Sequence, residues 1–233
     1  MSNINIKNMN KALVVISILL IPIVVVRNLI DLSPSTSSDF KVKGIDISHH
    51  NRVYNWNKVG KQNDFCIMKA TEGSGFVDGK FNNYWINAKQ NGMIRGAYHF
   101  FSPGVSAEKQ FENFKRHVKL GKNDLPPILD VELKNCNIDE ANKWLKLAEN
   151  YYGVKPIVYS DYFFFKLLME RKLDNYPLWL HINKRFKVKP SFNNFDCVIW
   201  QYNQYGKING INGNVDLNTF LGDSEDFKNL LIH

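Results

Sequence analysis

Cysteine is scarce, and the few present do not pair. Among 233 residues there are three, Cys66, Cys136 and Cys197, with no CxxC spacing and an odd count. A disulfide scaffold is therefore excluded. Cys66 in "FCIMKA" and Cys197 in "FDCVIW" lie in apolar runs and read as small core residues. No block of Lys and Arg with interleaved aromatics occurs, which argues against a nucleic-acid partner despite a net charge of +8. Residues 1–38 hold only Lys7, Lys11, Arg27 and Asp31, so +6 of that charge falls on the rest of the chain. Such a surplus suits a polyanion, whether nucleic acid, anionic lipid or an anionic cell wall; the bland alternative is a lysine-rich solvated surface. No internal repeat is evident, so a repeat array is not the architecture.

Hydrophobic residues make up 44% and aromatics 13% of the chain, which fits a globular protein and not a disordered one. The first 40 residues or so do not read as folded domain. The remaining ~190 suffice for one domain with a substantial core. Sixteen Phe, ten Tyr and five Trp are enough to line a carbohydrate cleft, although most belong in a core.

Behind Lys7 and Lys11 the chain is apolar from Ala12 to Val26. As a helix this run spans about 22 Å, short of the roughly 30 Å hydrocarbon core of a bilayer. Arg27 and Asn28 interrupt before Leu29 and Ile30, and Arg27 can snorkel to the interface. No small-x-small cleavage site follows clearly, and no cysteine for lipid attachment. The expectation is an uncleaved signal-anchor over residues 1–30, N-in and C-out, with the domain held outside the cytoplasmic membrane. A cleaved signal peptide and secretion are the alternative. The polar "SPSTSSD" reads as part of a linker over 31–40, and residues 41–233 as the folded domain.

Beyond the linker, short apolar runs alternate with helical patterns. Strands are expected at 43–48, 65–70, 95–101, 127–131, 156–160, 177–182 and 196–202. Helices are expected over 106–120 and 139–152, the second behind Asp139 as its N-cap. Alternating strand and helix implies a parallel sheet. Seven or eight strands in this length is tight for a full barrel, so some helices must be short or missing.

In such folds the carboxyl ends of the strands build the site. That rule picks out Asp46 and Ser48 in "GIDIS", Tyr98 and His99 in "GAYHF", Asp130 and Glu132 in "PPILDVE", Tyr159 in "PIVYS", Gln201 in "VIWQY" and Asp216 in "GNVDLNTF". "GIDISHHN" poses a choice between a metal site at His49 and His50 and a role for Asp46. Adjacent strand residues face opposite ways, so the histidines could share an ion only from a loop. A zinc site also needs further ligands, and His99, His117, His181 and His233 have no metal-like spacing with them.

Asp130 and Glu132 are two apart, so on a strand both side chains leave the same face with Cα atoms about 6.7 Å apart. Converging like charges drive one pKa up. A carboxyl kept protonated near neutral pH is what a general acid needs, and glycoside hydrolysis uses such pairs. Taken alone, Asp-x-Glu is equally compatible with two strand-end acids facing water.

The order of motifs carries more. "GIDISHHN", "FCIMKATEG", "GAYHFF", "LPPILDVE", "KPIVYS", "PLWL", "VIWQY" and "GINGNVDLNTF" together resemble glycoside hydrolase family 25, lysozymes that cut the bond between N-acetylmuramic acid and N-acetylglucosamine in bacterial peptidoglycan. The resemblance covers about residues 42–231. It implies an irregular, TIM-like (β/α) barrel with reduced helices and an acidic cleft. It implies Glu132 as general acid, Asp130 orienting or stabilising the substrate's 2-acetamido group, and Asp46 and Asp216 completing the cluster. Tyr98, Tyr159 and Gln201 match positions that contact sugar or reacting groups; Trp179 is a further candidate, or a core aromatic. By this resemblance Asp46 is the functional residue of "GIDISHHN", and the histidines support the cleft wall or the strand end. The expected partner is the peptidoglycan glycan strand, with the membrane contacted through the N-terminal segment, and the protein is a monomer without metal or cofactor. Two departures stand out: Asn51 where the family often has Gln, and "HINKRF" (His181, Asn183, Lys184, Arg185) where it usually has small and aromatic residues. With the four acids intact, a muramidase is expected, the alternative being an anchored wall-binding module with little turnover. A metal nuclease lacks its ligands.

Overall fold

The computed structural model describes residues 37–173, 175–182 and 197–233. The hydrophobic segment, most of the linker, and Asn183, Lys184 and Arg185 lie outside the described residues. No helix among the described residues is long and apolar enough to cross a membrane.

Each expected strand forms. They are β1 (Lys43–Ile47), β3 (Phe65–Glu72), β5 (Ile94–Phe100), β6 (Ile128–Asp130), β7 (Ile157–Asp161), β8 (Leu178–His181) and β9 (Cys197–Gly206). An eighth, β11 (Val215–Phe220), follows β9. The order β1-β11-β9-β8-β7-β6-β5-β3, with β1 also paired to β3, closes a barrel among the described residues. Small additions are β2 (Arg52–Val53), which pairs with β10 (Ile211–Asn212), and β4 (Phe76–Val77), which pairs with β3.

One departure from the expected parallel sheet is β11, which runs antiparallel to both neighbours. The chain between β9 and β11 holds only the short β10. A crossover to a parallel strand needs a dozen or more residues, so this length returns the chain antiparallel.

Alternation along the strands sorts the side chains. Phe65, Ile67, Ile128, Tyr159, Trp179 and Ile199 belong to one buried cluster inside the barrel. Intervening residues such as Cys66, Met68, Leu129, Val158 and Leu180 are buried on the other face. Two inward positions are glycine because large neighbours fill their space. A Cβ on Gly44 would lie 2.4 Å from the Phe65 ring, and one on Gly96 would lie 3.0 Å from both Ile67 and Leu125.

Helices cover the outside unevenly. They are α1 (Trp56–Gly60), α2 (Phe81–Gln90), α3 (Ala107–His117), α4 (Ile138–Tyr152), α5 (Tyr162–Leu168), α6 (Glu170–Leu173) and α7 (Ser224–Leu230). α4 starts one residue before the expected position, and Asn137 is its cap, not Asp139. Asn137 Oδ1 accepts from the backbone N–H groups of Asp139 and Glu140 at 3.0 and 3.3 Å, which places Asp139 inside the first turn. His99 points away from the barrel interior into this layer. It is fully buried, with Nδ1 2.7 Å from Thr71 Oγ1 and its ring stacked 5.6 Å from Trp144. Burial drives its pKa down to about 3, so it stays neutral.

α7 seals the base. Phe227 packs 5.5 Å from Phe65 and 5.0 Å from Phe220. The Phe220 N–H donates to Val42 O at 3.0 Å, and the Ile232 N–H donates to Asp124 O at 3.0 Å. Both the entry into β1 and the end of the chain therefore sit at the amino ends of the parallel strands.

Candidate active site

The inward residues turn polar at the carboxyl ends of the parallel strands. Asp46, near the end of β1, is 8% exposed. Its Oδ2 accepts from Gln201 Nε2 on β9 and from Asn218 Nδ2 on β11, each at 2.8 Å. Both amides are oriented from behind. Tyr159 OH donates to Gln201 Oε1 at 2.8 Å, and Trp179 Nε1 donates to Asn218 Oδ1 at 2.8 Å. Each amide has its oxygen filled by an aromatic donor, so its NH2 must face the carboxylate.

Asp216 lies directly across from Asp46 in the β1–β11 pairing. Burial pushes Asp46 up to about 6, held back by the two amide bonds. Asp216 rises further, to about 8, through burial and then the negative charge of Asp46 and Glu132. The contact between the two acids lowers Asp46 and raises Asp216, so the pair holds a proton more readily than either acid alone.

Asp130 closes β6 and is 5% exposed, and its Oδ1 is buried with no hydrogen-bond partner among the described residues. Burial, then the charge of Glu132, raises its pKa well above the usual carboxylate range, while Lys69 opposes. Glu132 lies two residues past Asp130, beyond the end of the strand, and is solvent-accessible at the mouth. Protein still surrounds it closely enough that desolvation is the leading cause of its raised pKa, followed by the charge of Asp46. His181 and Lys69 pull the other way.

Burial and then the charge of Asp130 hold both Tyr98 and Tyr159 well above the ordinary phenol value, so both stay neutral. Trp179 lies 4.4 Å from Tyr159 and 6.4 Å from Tyr98, ring to ring. The structure thus gathers Asp46, Tyr98, Asp130, Glu132, Tyr159 and Asp216 at one mouth. Trp179 and Gln201, each 2% exposed, stand behind it and hold the acids in place.

His49 and His50 follow β1 in a turn. His49 receives Asp78 twice, its backbone N–H and its Nδ1 each lying 2.8 Å from Asp78 Oδ2. The His50 N–H donates to Ser48 Oγ at 3.4 Å. Asn51, the shorter amide of the motif, accepts from the Ser48 N–H at 2.9 Å and donates to Asn214 O at 3.2 Å, tying the same turn together. No group of three or more His, Cys, Asp or Glu is arranged to hold a metal ion among the described residues.

Three neighbours of the site are not evident from motif order, and a fourth, His181, falls in the "HINKRF" departure. Asn218 shares the inward face of β11 with Asp216, two residues earlier. Lys69 continues the inward series Phe65, Ile67 along β3, and its Nζ is 2.6 Å from Glu72 and 4.8 Å from the Phe100 ring centroid. His181 and Asp161 end β8 and β7 side by side, with His181 Nδ1 3.4 Å from Asp161 Oδ2. Strand alternation alone was the available signal for Asn218 and Lys69.

A closed β/α barrel with a cluster of buried carboxyls of separated pKa at its carboxyl mouth is the framework of a glycoside hydrolase. The profile of glycosyl hydrolases family 25 matches residues 45–211, and this chain belongs to that family. Protein YegX of Escherichia coli (strain K12) is 36% identical over 203 residues, covering 82% of this chain and 74% of its own. Lysozyme M1 of Streptomyces globisporus is 28% identical, covering 78% and 69% respectively. The solved structure of a family 25 glycosyl hydrolase from Bacillus anthracis superimposes with a TM-score of 0.75 at 32% identity, over 84% of this chain and 96% of that one.

Proposed function

We propose that this hydrolase is an N-acetylmuramidase, cutting the β-1,4 bond between N-acetylmuramic acid and N-acetylglucosamine in peptidoglycan, with Glu132 as general acid and base. The observation that carries this reading is the contrast between two acids. Glu132 is reachable at the mouth with a raised pKa, and Asp130 is buried beside it with an unpartnered oxygen. A protonated Glu132 gives its proton to the glycosidic oxygen as the C1–O bond breaks. The substrate's acetamido oxygen takes up the bond at C1, and Asp130 Oδ1 accepts from the acetamido N–H, steadying the cyclic intermediate. Water then opens that intermediate while Glu132 takes its proton, returning the enzyme to its starting state. Asp46 and Asp216, with their shared proton, line the same mouth. Tyr98 and Tyr159 offer neutral hydroxyls; Gln201 and Trp179 serve by holding Asp46 and Asn218.

On this reading residues 1–30 anchor the chain in the cytoplasmic membrane, 31–40 form the tether, and 41–233 work outside as a monomer. The test is release of reducing ends from purified peptidoglycan by the full chain. Glu132→Gln keeps shape and hydrogen bonding but removes the proton, and the rate should fall by about 10²–10⁴. The wild-type rate should survive EDTA, because the chemistry uses carboxyls alone. Near-normal activity in the variant sinks the assignment. Wall binding without release by the wild type would favour an adaptor.

A further inference from the structure

We propose that His181, held by Asp161, is a positioning residue for this hydrolysis: a removable positive charge on the inner wall of the mouth that acts on Glu132. The inference rests on the muramidase reading for its consequence, but not for its geometry.

Its place follows from register. Within β8, alternation puts His181 on the same inward side as Trp179, one step nearer the mouth. Its side chain is 14% exposed. Asp130 pairs with Tyr159, and the Val131 N–H then bonds Tyr159 O at 2.9 Å, so β6 and β7 stay in step past the strand end. Two residues further on come Glu132 and Asp161. Asp161 pairs with His181, and His181 with Gln201. Carboxyl, carboxylate, imidazole and amide thus form a row across four neighbouring strands.

Asp161 is fixed independently of the histidine. Its Oδ1 caps α5, accepting from the Phe163 and Phe164 N–H groups at 3.0 and 3.3 Å. That leaves Oδ2 for His181 Nδ1. The bond to His181, then the two backbone bonds, hold its pKa below the ordinary value, so it stays charged across neutral pH.

Around Glu132 stand Asp46 on β1, Lys69 on β3, Asp130 on β6, Asp161 on β7, His181 on β8 and Asp216 on β11. Four are acids. Lys69 is paired with Glu72. His49, the other nearby imidazole, is held on Asp78. Imidazole is the side chain whose charge an ordinary change of pH can remove, and His181 is the imidazole of this row. Protonated, it favours the ionised Glu132 and Asp46. Without that charge only Lys69 of these groups opposes the surrounding acids, and the Glu132 proton is held more tightly. A charged imidazole here therefore eases proton release from Glu132, and an uncharged one does not.

The test compares wild type, His181→Gln and His181→Arg. The alkaline limb of kcat/KM on peptidoglycan should lie highest in His181→Gln, which has no charge, and lowest in His181→Arg, whose charge is permanent. Wild type should fall between, with each displacement up to about 1 pH unit. High salt should draw the three together. A purely structural role would lower all pH values alike. A uniform loss, or three superimposed profiles, overturns the proposal. As a second readout, the Glu132 carboxyl is titrated by carbon-13 NMR in wild type and His181→Gln; its midpoint should rise in the variant, and an unmoved midpoint also overturns the proposal. This readout needs no turnover. Wild type that releases no reducing ends would sink the muramidase reading, while the titration would still judge His181.

Discussion

Two acids, Asp46 and Asp216, illustrate how function sits against stability in this site. Asp216 is raised to about 8 and Asp46 to about 6 in the folded chain, against an unfolded value near 4. A raised folded pKa means that the folded state holds the proton more tightly. The stabilisation is full below about pH 4 and is lost as pH climbs, through about 6 for Asp46 and about 8 for Asp216. The melting temperature should therefore fall between pH 5 and pH 9. Asp216→Asn keeps a donor toward Asp46 and removes the charge. It should flatten that decline and melt higher at pH 9, by about 2–4 °C for each kcal/mol of repulsion relieved, while losing activity; calorimetry across pH checks it. A variant that melts lower than wild type at pH 9 would show that Asp216 is not held protonated. Asp46, Asp130 and Glu132 were legible because they lie at the ends of apolar runs, and Asp216 through its place in the last motif, "GNVDLNTF". Asn218, Lys69 and Asp161 were not, and His181 showed only as a departure within "HINKRF", because motif order says nothing about which side chains face one another across strands. Trp179 read equally well as sugar contact or core aromatic, and only three-dimensional packing separates the two.

At the level of elements, apolar periodicity placed seven of the barrel strands within a few residues. It gave the parallel rule for β1 through β9 because helices or long turns intervene there. β11 escaped it, since "NVDLNTF" carries two polar inward residues, Asp216 and Asn218, where a buried strand would show an apolar run. The start of α4 was misjudged by two residues at its cap because "NIDE" offers two capping side chains, and geometry selects Asn137. Asn137→Ala should cost about 1 kcal/mol, whereas Asn137→Asp should cost little, because aspartate caps equally well. Urea melts of the three proteins measure the difference. An alanine variant as stable as wild type would mean that this cap is not holding the helix.

For the molecule as a whole, the proposed anchor makes a prediction of its own. In fractionated cells the protein should travel with the membrane, keep its first residues, and expose its barrel to protease added outside. A soluble product beginning near Ser35 would show cleavage instead, and a barrel shielded in the cytoplasm would defeat export altogether. The way the chain enters the barrel adds a further consequence. Val42 leads into β1 at the sealed base, bonded to Phe220 and beside α7, while the acids occupy the opposite end. A five-residue strand rises about 17 Å between the two. The chain therefore enters from behind, like the handle of a pair of shears, and the blades lie at the far end of the barrel.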